Sequence, residues 1–269
     1  MSRPTKITIA IITFHKDFIL LKNLLRSIYT YWNPDEIDSI KILLNDQPTY
    51  VDEFNQLIDE MTVPNFKIDK MFSQELQPTI RYLDWFSQQL FKCVISEKIT
   101  TDWYLINDCK DAYTMPVCIE DCFNEHGQAT MHLDHMRYGP GVGIPESRTH
   151  WGFGPFRMSF ENSCKIFGVD IEDCKGYRLP FITPFFVKTS RMQDMVNELR
   201  SSMKGFFPFL FSLHLDGQSF VTEFLLFSAY CYSKNKLEDY VDWSYNHRKF
   251  FNSVKQDAGN RKTDGSRKS

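Results

Sequence analysis

The stretch Thr101–Thr114 reads TDWYLINDCKDAYT and contains the pattern that decides the fold. Its apolar run from Trp103 to Ile106 is rich in aromatic and aliphatic side chains, which predicts a buried β-strand. Asp108, Lys110 and Asp111 follow this strand directly. Ligands of open α/β sheets bind beyond the carboxyl ends of the strands, so the segment predicts a functional site.

The chemistry of this segment has two interpretations. Its two carboxylates suit a hard divalent cation such as Mg²⁺ or Mn²⁺, which would hold a diphosphate. The alternative is a polar turn that only closes a core strand. Short acidic motifs occur often by chance, so their spacing alone does not decide between the two.

The strands and helices predicted before this segment form a parallel unit. Lys6 to Phe14 predicts a first buried strand, Phe18 to Tyr31 an amphipathic helix and Ile37 to Leu44 a second strand. A strand, helix and strand in this order form a parallel pair with a right-handed crossover. Further helices are predicted at Phe54–Met61, Thr79–Lys98, Pro116–Asn124, Ser159–Phe167, Ser190–Lys204 and Phe220–Tyr232, and strands at Phe66–Met71, Ala129–Leu133 and Phe181–Val187.

Length and composition limit the class of protein. A chain of 269 residues suits one large α/β domain, and 42% hydrophobic with 24% charged residues is typical of globular proteins. No apolar run approaches the roughly 20 residues that span a bilayer, and the N-terminus does not resemble a signal peptide. Seven cysteines without a CxxC pair favour reduced thiols, and we therefore expect a cytoplasmic protein without an integral membrane segment.

Two segments differ from the rest of the chain. Residues 138–156 contain five Gly and three Pro, which predicts a long loop that closes over a ligand. Its aromatic residues Trp151, Phe153 and Phe156 suit stacking on a sugar ring or a flipped base. Residues 247–269 contain seven basic and two acidic residues, a charge of +5 against −8 for the rest. Residues 256–269 are predicted to be a disordered basic tail that either binds a polyanion or is only solvated.

Two clusters contain residue types that can bind a metal ion, but their spacing does not favour a metal site. His132 and Asp134 would share one face of a strand while His135 points away, so three ligands would not converge. Cys118 and Cys122 lie one helical turn apart and are interpreted as buried structural thiols.

The order of these motifs resembles a known family. A strand–helix–strand unit followed by a strand that ends in acids is similar to the GT-A fold of nucleotide-sugar-dependent glycosyltransferases. Within that fold, a bacterial and phage group carries four segments that are similar to segments of this chain. They are WFSQQLFK (85–92), TDWYLINDCKDAYT (101–114), ITPFFVKTS (182–190) and SFVTEFLLFSAY (219–230). The resemblance reaches, with gaps, from about residue 6 to about residue 247.

The resemblance implies the architecture. The chain would form one GT-A-like, Rossmann-like α/β domain at residues 1–255, with a mostly parallel central sheet flanked by helices. Its nucleotide-binding half would cover about 1–115 and its acceptor-binding half about 116–255.

The resemblance also implies roles for residues near the strand ends. Asp108 matches the first acid of the D-x-D motif, and Lys110 takes the place of the second. Either Asp111 replaces that acid as a ligand of Mn²⁺ or Mg²⁺, or Lys110 neutralises the diphosphate without a metal. Glu223 would accept a proton from the acceptor hydroxyl, and the alternative is an acid that interacts with the helix dipole. His247 would be a metal or phosphate ligand, and the alternative is a surface histidine.

The donor would be held at the exits of the first two strands and along the helix before the motif. The residues carried over for nucleotide-sugar binding are Thr13, Phe14, Asp17, Asn45, Asp46, Arg81, Gln88 and Lys92. The interpretation of Trp85, Gln88 and Lys92 as packing and surface residues stays open at this point, as does a solvated helix end for Arg81.

The resemblance predicts a hexosyl- or pentosyltransferase with a UDP-linked donor. Its acceptor would be the hydroxyl of a glycan or of hydroxylated bases in phage DNA, and a phage origin would place it in the host cytoplasm. The alternatives are a non-catalytic nucleotide- or sugar-binding relative and a nucleotidyltransferase on the same fold.

Overall fold

A computed structural model describes residues 2–77, 85–131, 134–135, 153–174, 177–179, 182–203, 221–242 and 251–253. The strands are β1 (Ile7–Thr13), β2 (Ile37–Leu44), β3 (Ile68–Phe72), β4 (Trp103–Asn107), β5 (Asp111–Tyr113), β6 (Ala129–Met131), β7 (Asp134–His135), β8 (Tyr177–Arg178), β9 (Phe185–Lys188), β10 (Tyr240–Asp242) and β11 (Phe251–Ser253). The helices are α1 (Phe18–Tyr31), α2 (Val51–Met61), α3 (Ser73–Leu76), α4 (Trp85–Val94), α5 (Ile119–Cys122), α6 (Phe153–Ile166), α7 (Thr189–Met203) and α8 (Glu223–Ser233).

The central sheet has five strands in the order β3-β2-β1-β4-β9. The pairs β2–β3, β1–β2 and β1–β4 are parallel, and only β9 runs antiparallel to its neighbour β4. Every residue of β1 is buried, as expected for a central strand covered by helices on both faces. The predicted α/β fold with a mostly parallel sheet is therefore confirmed.

The order of the strands creates a switch point between β1 and β4. The chain proceeds from β1 through α1 and α2 to β3 on one side, and then returns to place β4 on the other side of β1. The loops after β1 and β4 consequently diverge, which leaves a crevice beyond their carboxyl ends. Cys109 lies at this junction, and its thiol contacts the backbone oxygen of Ile12 at 3.8 Å.

One hydrophobic core joins both predicted halves of the domain. It extends from Ile7 to Tyr240 and includes the apolar stripe of α1, which is formed by Phe18, Leu21, Leu24, Leu25 and Ile28. These positions follow the helical period, which explains why α1 packs on the sheet. A second, smaller cluster joins α6 and α8 around Phe160, Cys164, Cys174, Leu225 and Ala229. The boundary between two functional halves stays a prediction.

Three differences between the structure and the predicted elements concern α6, α5 and β5. Helix α6 begins at Phe153 rather than at Ser159, so Phe153 and Phe156 lie in a helix, while residues 136–152 are outside the described part. Pro155 fits this first turn because its missing N–H is not needed there. Helix α5 is shorter than predicted, because Phe123 takes an extended backbone and bridges to Ala129.

The third difference lies beside the site. Residues 111–113 form strand β5 instead of an irregular exit, and they pair antiparallel with β11. Asp111 is opposite Ser253, so the chain returns to this position close to its C-terminal end. Within the described ranges, no helix has the length and apolar character that crossing a membrane requires.

Candidate functional site

A pocket of about 310 Å³ lies where the residues that follow β4 meet α4 and the start of α8. Helix α4 presents one face to it through residues at i, i+4 and i+7, and the segment before β9 forms another wall. The lining residues are Trp85, Gln89, Lys92, Asp108, Lys110, Asp111, Ile182, Thr183, Thr222, Glu223 and Phe224. The polar exit of β4 and the buried acid of α8 therefore face one cavity.

Lys92 is the centre of the charge arrangement in this pocket. Its ammonium lies 2.9 Å from Asp108 Oδ1 and 3.0 Å from Glu223 Oε1. Lys110 approaches the other oxygen of Asp108 at 3.2 Å. The side chains of Lys92 and Glu223 are 5% and 3% exposed, whereas that of Lys110 is 55% exposed. Two carboxylates thus share one buried cation, and a second cation extends into solvent.

The fold around Lys92 explains how a lysine can be buried here. Its side chain comes from the buried face of α4 and its ammonium lies 5.1 Å from the centre of the Phe224 ring. Glu223 is the first residue of α8, which is apolar on nearly all sides and therefore buried. A buried charge requires a partner of opposite charge, and the Lys92 ammonium and the Glu223 carboxylate are such partners for each other.

The environments of the two acids move their pKa values in opposite directions. Burial opposes ionisation of Asp108, but Lys92 and Lys110 hold its pKa at about 2. Burial raises the pKa of Glu223, Asp108 adds to this rise, and Lys92 only partly offsets it. For Lys92, the attraction of Asp108 and Glu223 outweighs burial and raises its pKa. Asp108 is therefore ionised at neutral pH, while Glu223 is the acid of the pair that is closer to accepting a proton.

Asp111 occupies the same pocket with different contacts. Its Oδ2 accepts hydrogen bonds from the Asp108 backbone N–H at 2.9 Å and from the Asn107 amide at 3.3 Å. Burial and the nearby Asp108 carboxylate raise the pKa of Asp111 to about 6. The Thr183 hydroxyl is close enough to lower this pKa slightly, yet neither it nor Asp111 Oδ1 makes a regular hydrogen bond within the described residues.

Replacing Asp111 by Asn is expected to stabilise the protein at pH 7 by about 1–3 kcal/mol. Because the pKa of Asp111 is raised from 3.8 to about 6 in the folded protein, the protein loses stability as the pH rises between these two values. Asn keeps an oxygen for the bonds from Asn107 and Asp108 and removes the buried charge. Urea unfolding at several pH values measures the effect. A gain at pH 7 that disappears at pH 4 supports this account, and an equal loss at both pH values contradicts it.

The predicted donor residues at the strand exits take different positions. Thr13 and Asn45 are buried, and Asn45 Oδ1 accepts a hydrogen bond from the Ser87 hydroxyl at 3.1 Å. Asp17 and Phe14 are partly exposed, and the pKa of Asp17 is raised by burial and then by Asp108. Asp17 is therefore electrostatically coupled to the pocket through Asp108 and Lys110.

Asp46 is held by its neighbours instead of facing the pocket. Its Oδ2 accepts hydrogen bonds from the His15 backbone at 2.7 Å and from His15 Nδ1 at 2.6 Å, and Oδ1 accepts one from the Gln47 backbone. The His15 ring also stacks on Tyr50, with ring centres 3.9 Å apart. Asp46 therefore positions His15 at the exit of β1.

Helix α4 separates its two adjacent glutamines. Gln88 directs its amide to the backbone oxygen of Ile12 at 3.4 Å, whereas Gln89 lines the pocket. Lys92 is buried and lines the pocket as well, and Trp85 stands at 48% exposure on its rim. Arg81 and His247 lie outside the described residues.

A metal ion does not fit the described side chains well. Both oxygens of Asp108 face ammonium groups, and Asp111 Oδ2 is occupied by two N–H donors. Among the described residues, no group of three or more His, Cys, Asp or Glu side chains is placed to hold a metal ion. A site formed by Asp108, Asp111 and His247 stays a prediction.

Several residues that line the pocket were not predicted from the sequence. They are Gln89, Ile182, Thr183, Thr222 and Phe224. The signals were present: Gln89 shares the helical face of Trp85 and Lys92, and the other four lie in the two segments that carry the family resemblance. Their orientation toward the pocket depends on the packing of α4, α8 and β9.

Comparison with known proteins places the chain in a family. It belongs to the family of unknown function DUF6492, whose model matches residues 10–253. None of the curated proteins compared with it matches. Among solved structures, the glycosyltransferase GlyE of Streptococcus pneumoniae TIGR4 is similar at 11% identity and a TM-score of 0.42. The match covers 89% of this chain but only 45% of the GlyE chain, and it is too weak to carry a functional argument.

Proposed function

We propose that this DUF6492 protein is a glycosyltransferase that transfers a sugar from a nucleoside-diphosphate sugar to a hydroxyl acceptor. One observation carries the proposal: Lys92 joins Asp108 and Glu223 in a pocket at the exit of β4, beside the more exposed Lys110. A cation at the mouth suits a diphosphate, and an acid with a raised pKa suits a hydroxyl that must lose its proton.

The proposed reaction assigns a role to each group. The acceptor hydroxyl gives its proton to Glu223 Oε2 while its oxygen forms a bond to the anomeric carbon of the sugar. The bond between that carbon and the diphosphate oxygen breaks, and the electron pair stays on the nucleoside diphosphate. Lys110 stabilises the charge that develops on this leaving group. Lys92 and Asp108 are positioning residues, because Lys92 orients Glu223 and Asp108 holds both lysines.

Of the two alternatives for the diphosphate, we favour the one without a metal. The oxygens of Asp108 are already directed at Lys92 and Lys110, so a cation would have to displace an ammonium group. Lys110 supplies a positive charge at the position where the D-x-D motif has its second acid. Charge neutralisation by an exposed lysine performs the same task as a metal ion at this point.

Lys110→Ala is expected to lower kcat/KM for transfer by about 10²–10³, while a chelator leaves the wild-type rate nearly unchanged. The reason is that Lys110 would be the group that stabilises the leaving diphosphate. Initial rates with and without EDTA measure this. Lys70→Ala is the matched control, since Lys70 pairs with Asp59 on the surface. Loss of activity in EDTA with recovery in Mn²⁺ would instead support the metal site of Asp108, Asp111 and His247.

Binding of nucleoside diphosphates is the direct test of the proposed function. Thermal shift with UDP, GDP and CMP identifies the base, and release of the nucleotide from matching donors measures turnover. Binding of a diphosphate together with transfer supports the proposal, and we expect a UDP-linked donor from the family resemblance. Binding without any turnover would favour a non-catalytic relative, and preference for triphosphates would favour a nucleotidyltransferase.

The acceptor part of the proposal rests on the sequence. We propose a glycan or a hydroxylated base of phage DNA, since a basic tail on an acidic body suits a polyanion. Residues 256–269 and Trp151, on which this expectation depends, lie outside the described residues.

A further inference from the structure

Four buried polar atoms that have neither a regular hydrogen bond nor an ion pair belong to residues that line one cavity. In the part of the chain that the structure describes, they are Asp111 Oδ1, Thr183 Oγ1, Thr222 Oγ1 and Glu223 Oε2, whereas Asp108 Oδ1, which also lacks a regular hydrogen bond, is paired with Lys92. All four residues line the pocket at the exit of β4. Buried polar atoms are nearly always hydrogen-bonded in native proteins, and a cluster of exceptions requires an explanation. Their concentration in one pocket indicates that a ligand supplies the missing partners.

Thr222 shows that these atoms are not simply left over from helix formation. It is the N-cap residue of α8, with an extended backbone at φ −122° and ψ 155°. A threonine at this position normally bonds the free N–H groups of the first turn. Here its side chain makes no such bond, and its own N–H donates to the Ser159 hydroxyl at 2.9 Å. The Thr222 hydroxyl therefore remains available to the pocket.

The chemistry of the four atoms specifies the complementary ligand. An ionised carboxylate accepts hydrogen bonds only, whereas a threonine hydroxyl both donates and accepts. A ligand hydroxyl between Asp111 and Thr183 would donate to the carboxylate and accept from the threonine. The same pairing is available between Glu223 and Thr222, which are neighbours in sequence. The complement is a group with at least two hydroxyls on different sides.

One part of the mouth of the pocket, away from the charge of Lys110, is formed by exposed apolar side chains. Trp85 is 48% exposed and Ile182 is 63% exposed, and both belong to its lining. Helix α4 rises 1.5 Å per residue, which places Trp85 on the order of 10 Å from Lys92 along the helix. An apolar rim above a floor of hydrogen-bonding atoms matches a sugar ring, which has apolar C–H faces and a polar edge of hydroxyls.

The charged side chains of the pocket restrict the class of sugar that can bind. Asp111 and Glu223 carry two of the four atoms, and the buried cation Lys92 is already shared by Asp108 and Glu223. A carboxylate on the sugar would meet two acids and no unpaired buried cation among the described residues. Bringing like charges together in a buried site opposes binding strongly.

We propose that Asp111, Thr183, Thr222 and Glu223 form the subsite for the transferred sugar and make it selective for neutral, polyhydroxylated sugars over sugars that carry a carboxylate. Asp111 and Thr183 are the specificity-determining residues, since Glu223 also has the role of base. This inference rests on the proposed function and adds the class of donor sugar to it.

Two pairs of donors that differ in one group test the selectivity. UDP-glucose is compared with UDP-glucuronate, and GDP-mannose with GDP-mannuronate, using the pair whose nucleotide binds. The expected kcat/KM is about 100-fold higher for the neutral donor. Asp111→Asn is expected to reduce this ratio about tenfold by removing one of the two repelling charges.

Thr183→Val tests the hydrogen-bonding part of the inference. It preserves the shape of the side chain and removes the hydroxyl, so KM for the neutral donor is expected to rise roughly tenfold. The Kd of the free nucleoside diphosphate and the Tm are expected to stay unchanged, which separates a lost sugar contact from a folding defect. Thr62→Val is the matched control, because its hydroxyl bonds Ile58 at the end of α2, in a residue that is not part of the pocket lining.

The outcomes distinguish this inference from the proposed function. Turnover of both donors at similar rates, or a Thr183→Val enzyme with normal KM, overturns the neutral-sugar subsite while the glycosyltransferase proposal stands. A preference for the carboxylate donor also overturns it and would indicate that Lys110 pairs with the sugar. Absence of nucleotide binding and of turnover with every donor overturns both.

Discussion

Glu223→Gln is expected to lower kcat for sugar transfer by about 10²–10⁴ while the Kd of the nucleoside diphosphate stays nearly constant. Glutamine has the size of glutamate and retains an oxygen that can accept the hydrogen bond from Lys92. It has no carboxylate that can take the proton of the acceptor hydroxyl. The loss should therefore appear in the chemical step and not in the binding of the nucleoside diphosphate.

The pH dependence of the wild-type enzyme adds an independent measurement. A base must be deprotonated to act, and the pKa of Glu223 is raised above its usual value of 4.5. The rate is therefore expected to fall on the acid side at a pH above that value, and Glu223→Gln should remove this limb from its residual activity. Glu60→Gln is the control, since Glu60 pairs with Lys22 on the surface. A normal kcat in Glu223→Gln would leave Glu223 only as the partner of Lys92.

Local sequence patterns predicted the framework of the site. The β-branched run of β1 and the aromatic run of β4 both require burial on two faces, and that requirement specifies parallel central strands. The acids after β4 were assigned to a functional site because ligands of open α/β sheets bind beyond the carboxyl ends of the strands. This rule does not depend on the rest of the fold. These inferences depend on neighbouring residues, so one sequence was enough for them.

The pairing of the charged residues depends on distant parts of the chain. Lys92 and Glu223 are 131 positions apart, and each was assigned a separate role. Only the packing of α4 against α8 brings them to 3.0 Å. Asp46 is a similar case: its role toward the donor stays a prediction, and its contact with His15 spans 31 positions. A pattern of residue types does not specify such contacts.

The phase of a helix explains why Gln89 was missed. Both Gln88 and Gln89 continue a helical face from Trp85, at i+3 and i+4, and the sequence offers no way to choose. The structure directs Gln88 to the backbone of β1 and Gln89 to the pocket. The sequence also does not show that the hydroxyls of Thr183 and Thr222 lack a regular hydrogen bond, because this depends on which groups surround them in the folded chain.

Lys92→Met is expected to lower the free energy of unfolding at pH 7 by about 3–5 kcal/mol. The substitution fills a similar volume but leaves the partly buried Asp108 and the buried Glu223 without their shared cation. Urea unfolding measures the loss. Lys110→Met is the matched control: the Lys110 side chain is 55% exposed, so its pair with Asp108 contributes at most about 1 kcal/mol.

The pH dependence of this loss follows from the depressed pKa of Asp108. With a folded pKa of about 2 against 3.8, Asp108 contributes stability that is present above pH 3.8 and is lost as the pH falls through 2. Lys92→Met removes the main cause of that depression, so the difference between wild type and variant should shrink in acid, where both carboxylates of the variant become protonated. A difference that stays constant between pH 7 and pH 3 would mean that Lys92 acts through packing alone.

A combined variant separates the contribution of these charges to the fold from their contribution to function. Lys92→Met, Asp108→Asn and Glu223→Leu together leave no ionised group at these three positions. Replacing a buried ion network by apolar residues of similar volume is often neutral or stabilising, so we expect unfolding free energy near the wild-type value. The same variant should lose all transfer. Recovered stability without activity would mean that the fold does not require the charges of Lys92, Asp108 and Glu223. A combined variant as unstable as Lys92→Met would mean that these charges are needed for the stability of the fold.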